Sequence, residues 1–226
     1  RFLQSGGIID HTMLALEAGF AVLITVLSIK YRRYYVAVLS IVQTVLTFVY
    51  ELGGYKPAVQ PYNLFTDQLT VIMVLIIAVV GTLITVYAVG YMRDYHNHHK
   101  EYTDRRRFFF AMLYVFLGAM FGLVLSNSLL WLYFFWEITS LVSFLLIGYW
   151  THRKDARRGA RMAFTVTATG GLALLAGVLL LGHIVGSHEL DAVLAAGDVV
   201  RAHALYPLAL GLVLLGALKK SAQFPF

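Results

Sequence analysis

The chain contains no cysteine. That absence excludes disulfides, thiolate zinc sites and cysteine-ligated iron–sulfur clusters. Charge is scarce as well, since Asp, Glu, Lys and Arg make up 13% of the 226 residues. Neither a nucleotide-binding loop nor a cleavable signal peptide is visible. What fills the sequence is apolar: 59% of the residues are hydrophobic, and the mean hydropathy is +0.73. No soluble domain of this size needs so much apolar sequence, so the class is integral membrane protein. The chain starts at Arg1 rather than Met and stops at Phe226 inside an apolar run. We therefore expect a piece of a longer protein.

Seven apolar segments stand out, near Met13–Ile29, Tyr34–Leu52, Leu69–Tyr91, Phe108–Leu125, Ser128–Tyr149, Ala160–Val185 and Leu205–Phe226. A helix needs about 20 apolar residues to cross the hydrocarbon core, and in lipid only helices and closed barrels satisfy the backbone. The expected fold is an all-α polytopic transmembrane helix bundle of about seven spans.

Basic residues alternate between the connections. Lys30, Arg32 and Arg33 lie in the first, Arg93, Lys100 and Arg105 to Arg107 in the third, and Arg153, Lys154, Arg157 and Arg158 in the fifth. The even-numbered connections hold only Lys56 and Arg201. The positive-inside rule then puts the odd connections in the cytoplasm, the N-terminus outside, and the protein in the cytoplasmic membrane.

Within the fifth segment, between Trp136 and Ile138, sits Glu137. A carboxylate at that depth is a functional hypothesis in search of a partner. The seventh segment supplies one, because it is apolar for more than three turns and then carries Lys219 and Lys220. Neighbouring helix residues diverge by about 100°, so the two lysines cannot share one environment. Pro225 follows and should bend or break the helix beside them. A Glu–Lys pair in a low-dielectric interior changes its protonation as its members approach or separate, which would make a proton-loading site. The alternative is a static ion pair that fixes helix register.

Other residues are weaker candidates. Thr165 and Thr169 share one face of the sixth segment, with His183 close to that face, and either line a hydrated path or bond back to their own helix. Gly170 and Gly171 thin that helix and would admit a neighbour. The histidines His96, His98 and His99 fall in a polar loop without a metal-ligand pattern, so no metal is expected there. Gly118 and Gly122 have the spacing that permits close helix approach. Glu17 reads as a snorkelling acid, Gln43 as an interhelical hydrogen bond, and Asp67 as an N-cap-region acid.

Several stretches match a family. WLYFFWEITSLVSFLLIGYW, the double glycine of TATGGLALLAG, LLGALKKSAQFPF, YAVGYM and RFFFAMLYVF resemble the antiporter-like membrane subunits. That superfamily includes the proton-pumping subunits of respiratory complex I, the Mrp-type cation/proton antiporter subunits, and the membrane subunits of energy-converting hydrogenases. The resemblance runs from about Tyr62 to Phe226. It divides the chain into two N-terminal helices (1–61) of weak match and an antiporter-like proton-conducting domain (62–226), incomplete at the C-terminus.

The resemblance implies that Glu137 and Lys220 form the proton-transfer pair, because Lys220 directly precedes Ser221-Ala222-Gln223. Lys219 departs from the pattern, which usually has a small or neutral residue there. Gly171 stands where complex I members often carry an acid, which looks closer to the Mrp-type and hydrogenase-type relatives.

The implied role is a membrane subunit that conducts protons, with sodium as a candidate exchange ion, inside a multi-subunit complex driven by redox chemistry elsewhere. The implied partners are other membrane subunits and the lipid bilayer; neither a cofactor in this chain nor a nucleic acid is expected. Two competitors remain: a seven-helix retinal photoreceptor with a lysine in its last helix, and a non-transporting scaffold subunit.

Overall fold

The computed structural model describes residues 15, 18–19, 21–23, 25–26, 29–30, 34–52, 64–99 and 103–223. The described residues form helices α1 (Tyr34–Leu52), α2 (Gln68–His98), α3 (Arg106–Leu125), α4 (Leu129–Ile147), α5 (Lys154–Val185), α6 (Leu190–Ala195), α7 (Gly197–Ala202) and α8 (Tyr206–Lys220). Before α1, the described residues between 15 and 30 are helical too. Among the described residues there is no strand, only isolated bridges between Leu64 and Ser126 and between Ser128 and Glu189.

Four helices, α2 to α5, are long and apolar enough to cross a membrane. The chain is therefore an all-helical, multi-pass membrane protein. α2 shows what that environment permits, for it is an apolar helix with Leu69, Val86 and Tyr87 at least 65% exposed. Water would not tolerate such a surface on a folded chain, but hydrocarbon does.

The segment ends differ from the sequence-based expectation in an instructive way. α2 runs seven residues past Tyr91, so His96 and His98 lie in its last turn and His99 caps it, rather than in a loop. Each ring nitrogen Nδ1 bonds the carbonyl four residues back, at Met92, Asp94 and Tyr95. Tyr95 also packs on Trp150, with ring centroids 3.9 Å apart. These contacts hold the polar end helical. α5 starts six residues before Ala160, which places Lys154, Arg157 and Arg158 on a helix instead of a connection. At 32 residues, about 48 Å long, it exceeds the core thickness, so its charged first turns extend beyond it.

The core lies where α4, α5 and α8 meet. Leu129, Tyr133, Leu174, Leu175 and Val178 form a buried cluster, with Trp136 and Val213 packed against it. α5 and α8 make the most extensive interface in the fold. Small residues allow their close approach: Gly216 faces the carbonyl of Gly170, and Gly177 faces Val213 and the carbonyl of Ala209. Ala209 is wholly buried. The GxxxG spacing in α3 is used at one end only. Gly122 sits against the Phe135 ring of α4, whereas a Cβ at Gly118 would meet nothing within 4 Å among the described residues.

Asp67 caps α2 as expected, accepting from the Thr70 amide at 2.7 Å. Ser40 of α1 donates to the Ala21 carbonyl at 3.3 Å, while Gln43 is half-buried on the same helix. Glu17 and Pro225 lie outside the described residues.

Candidate functional site

The site is built where the last turn of α8 meets the middle of α4. A helix C-terminus favours cations, because its final carbonyls carry partial negative charge. α8 ends on Lys219 and Lys220. Its end is closed by the Gln223 amide on the Leu218 carbonyl (3.1 Å) and the Ala222 amide on Lys219 (3.4 Å). Ala222 takes φ 50° to close that turn, a left-handed conformation that costs an alanine roughly 1–2 kcal/mol. α8 thus ends at Lys220, ahead of the expected Phe226, and Pro225, to which a break was ascribed, lies outside the described residues.

The two lysines diverge as their spacing requires. Lys220 reaches α4, where its ammonium donates to Ser140 Oγ (2.6 Å), Thr139 Oγ1 (2.8 Å) and the Trp136 carbonyl (3.3 Å). It also lies 5.3 Å from the centroid of the Trp136 ring. Thr139 and Ser140 are 2% and 1% exposed. Lys219 instead turns to α5 and donates to Thr169 Oγ1 at 3.1 Å.

Glu137 projects from α4 toward α5. Its carboxylate lies against Gly171 of α5, in the space that a side chain at 171 would occupy. The double glycine therefore admits Glu137 at Gly171 and the stem of Lys219 at Gly170.

Residues 126–226 match the family described as "NADH:quinone oxidoreductase/Mrp antiporter, TM", and residues 60–109 match "NADH-Ubiquinone oxidoreductase (complex I), chain 5 N-terminus". The chain belongs to the antiporter-like membrane subunit superfamily. It is 55% identical over 151 residues to a probable K(+)/H(+) antiporter subunit of Rhizobium meliloti, an alignment covering 67% of this chain. It is 40% identical over 165 residues to an Na(+)/H(+) antiporter subunit of Alkalihalophilus pseudofirmus, covering 73%. With an Na(+)/H(+) antiporter subunit of Staphylococcus aureus (strain Newman) the identity is 29% over 232 residues, covering 96%. The chain spans only 14%, 20% and 28% of the length of these three relatives. They give no support to a retinal photoreceptor.

Among the residues singled out in the sequence of this antiporter-like chain, Glu137, Lys219, Lys220 and Thr169 converge on one region. Thr165 bonds back to its own helix, at the Arg161 carbonyl (2.9 Å), and is one turn from Thr169. Thr169 does the same to Thr165 (3.0 Å) while also receiving Lys219. Thr169 therefore bonds back to its own helix, as one of the two readings had it, and also meets a lysine. His183 is exposed and stands 14 residues beyond Thr169, about 21 Å along the helix. It is not brought to the site.

Sequence reasoning missed the groups that hold Lys220. The hydroxyls of Thr139 and Ser140 follow Glu137 by two and three residues in an apolar helix, and that pattern was available to find them. It also missed a polar clip at the far end of α4. There the Leu129 amide donates to His188 (2.8 Å), and the Leu190 amide to Asn127 (2.6 Å). The Asn127 side chain bridges Asp191, donating to Oδ1 (3.1 Å) and accepting from the amide (3.3 Å). His188 is 1% exposed, and its ring fills the space beside Gly182.

Proposed function

We propose that this chain is part of the cation/proton-exchanging membrane subunit of an antiporter assembled from several subunits, with Glu137 and Lys220 as its proton-transfer pair. The observation that carries the reading is the Lys220 ammonium on Trp136, Thr139 and Ser140, beside Glu137 on the same helix. A lysine held there by neutral oxygens keeps its charge only while its surroundings supply enough donor acceptance and negative potential. Glu137 supplies the potential. Movement of its carboxylate toward or away from Lys220 loads or releases the lysine proton.

Lys219 and Thr169 form a second polar step on the α5 side, with Thr165 one turn further toward the charged end of that helix. His183 marks the opposite end of the same helix. We assign residues 62–226 to the conducting domain, with about seven spans in the chain, the N-terminus outside, and the whole in the cytoplasmic membrane. The relatives are antiporter subunits by name, which favours the Mrp-type member of the superfamily over a redox-driven one. The exchanged ion is then Na+ or K+, and the partners are the other membrane subunits.

The experiment is exchange in sealed vesicles, comparing the native complex with Glu137→Gln at matched assembly. We expect collapse of cation-driven proton movement with the complex intact. Undiminished exchange would leave Glu137 as a packing acid and end this assignment.

A further inference from the structure

The three groups around the Lys220 ammonium have a chemical character that a proton path alone does not require. Thr139 Oγ1 donates to the Trp136 carbonyl at 2.7 Å, and Ser140 Oγ does so at 3.2 Å. Both hydroxyl hydrogens are thereby turned away, which leaves their lone pairs for whatever sits in front of them. In the structure that is a single positive charge, the ammonium, bonded to both hydroxyls and to the same carbonyl. Carbonyl and hydroxyl oxygens directed at one point are the donor set of a hard monovalent cation, as in channel filters that replace hydration water with backbone carbonyls. The Trp136 ring offers its negative face from the side.

Nothing in this cradle selects an ammonium over an alkali ion. Every group in it is an acceptor, and two of its three members are almost completely buried. Glu137 follows Trp136 directly in α4, and its carboxylate occupies the space left by Gly171.

We propose that the Trp136 carbonyl, Thr139 Oγ1 and Ser140 Oγ form the inner part of an alkali-cation site, which the Lys220 ammonium occupies in this structure. This rests on the reading of Lys220 as the proton-exchanging group. When Lys220 passes its proton to water on the exit side, the neutral amine withdraws and one alkali ion takes its place among the oxygens. One positive charge leaves as a proton and one arrives as a metal ion, so the buried charge is unchanged. Exchange is then one-for-one because both ions compete for the same oxygens.

The test measures equilibrium binding of radioactive sodium and, in a separate arm, rubidium as a potassium surrogate, to the purified complete complex. Lys220→Ala removes the competing ammonium and should bind about one more ion per complex than the native protein, in whichever arm carries the physiological ion. Adding Ser140→Ala to Lys220→Ala should weaken that extra binding at least tenfold. Native-like binding by Lys220→Ala in both arms would overturn the proposal, and so would extra binding indifferent to Ser140→Ala.

Vesicle exchange by Lys220→Ala is read independently. If exchange persists, the proton-transfer assignment is wrong. If exchange is lost without any gain in binding, Lys220 moves protons and the cradle only orients it. Should the double variant fail to assemble, Thr139→Val in the Lys220→Ala background gives the same reading through the other hydroxyl.

Discussion

α4 is tethered at two places, and the two are built oppositely. At its first residues, the Asn127–Asp191 clip uses backbone amides and carbonyls with the Asn127 amide and the Asp191 carboxylate, in reciprocal bonds between two chain segments. Such bonds fix both partners, and breaking one strands a buried polar group. In its middle, the lysine site uses two rotatable hydroxyls and the flexible stem of Lys220. The bonds are equally short there, yet each can be remade by rotating a side chain. The comparison separates polar burial that holds a helix in register from polar burial that, on the proposed function, lets a charge come and go.

The strongest way to break the comparison is to remove one member of each tether. Lys220→Ala should reduce exchange about a hundredfold or more, in the range by which positioned proton-transfer groups accelerate reactions. Its thermal unfolding should change little, since the lost bonds end on groups that already bond within α4. Asn127→Ala should do the reverse, lowering stability by about 1–3 kcal/mol for the buried groups it leaves unmet. Exchange per assembled complex should stay near the native value. If Asn127→Ala abolished exchange at full stability, the clip would belong to the transport machinery.

Glycine contacts sharpen the same contrast with smaller effects. At Gly171 an added methyl meets the Glu137 carboxylate, and at Gly182 it meets the His188 ring. Gly171→Ala should displace the carboxylate and cut exchange on the order of tenfold, since misplacing a reacting group by about 1 Å reaches a hundredfold in enzymes. Gly182→Ala should cost about 1–3 kcal/mol of stability through overpacking, with exchange per folded complex retained. Vesicle exchange and thermal unfolding measured on both variants decide the matter. Interchanged phenotypes would refute the division of roles.

Much of this arrangement was legible in the sequence, and the unread part has a common cause. Apolar runs of membrane length located α2 to α5, because lipid leaves the backbone few alternatives. Glu137 and the two lysines were conspicuous since charge is costly at that depth. The 100° divergence of neighbouring helix positions anticipated that Lys219 and Lys220 would not share one environment. The cradle of Thr139 and Ser140 was hidden because small hydroxyls in membrane helices usually bond back to their own carbonyls. These do so and receive the lysine as well. The clip was hidden for a different reason, since its two halves lie 64 residues apart and no local pattern links Asn127 to Asp191. The helix ends were misplaced wherever polar side chains kept a helix going beyond its apolar run, as the histidines of α2 do.

The smallest expected effect concerns acid, and it tests whether the clip is a fixed element. Burial pushes the His188 imidazole down from 6.5 to about 4, so the folded clip keeps it neutral at pH values where an unfolded chain would protonate it. Above about pH 6.5 both states are neutral and the residue contributes no pH dependence. Between there and pH 4 the unfolded state binds more protons, so stability falls as the pH is lowered. Glu189, whose pKa is raised by burial and by Asp191, acts in the opposite direction nearer its own range, because the folded state accepts that proton first. The loss attributable to His188 should therefore be clearest between about pH 6.5 and 5.5. Thermal unfolding of the complex should show a decline across that interval which His188→Gln flattens, while the exchange rate per folded complex shows no matching step. A variant with the native slope would assign the acid lability to another group and leave His188 as a packing element alone.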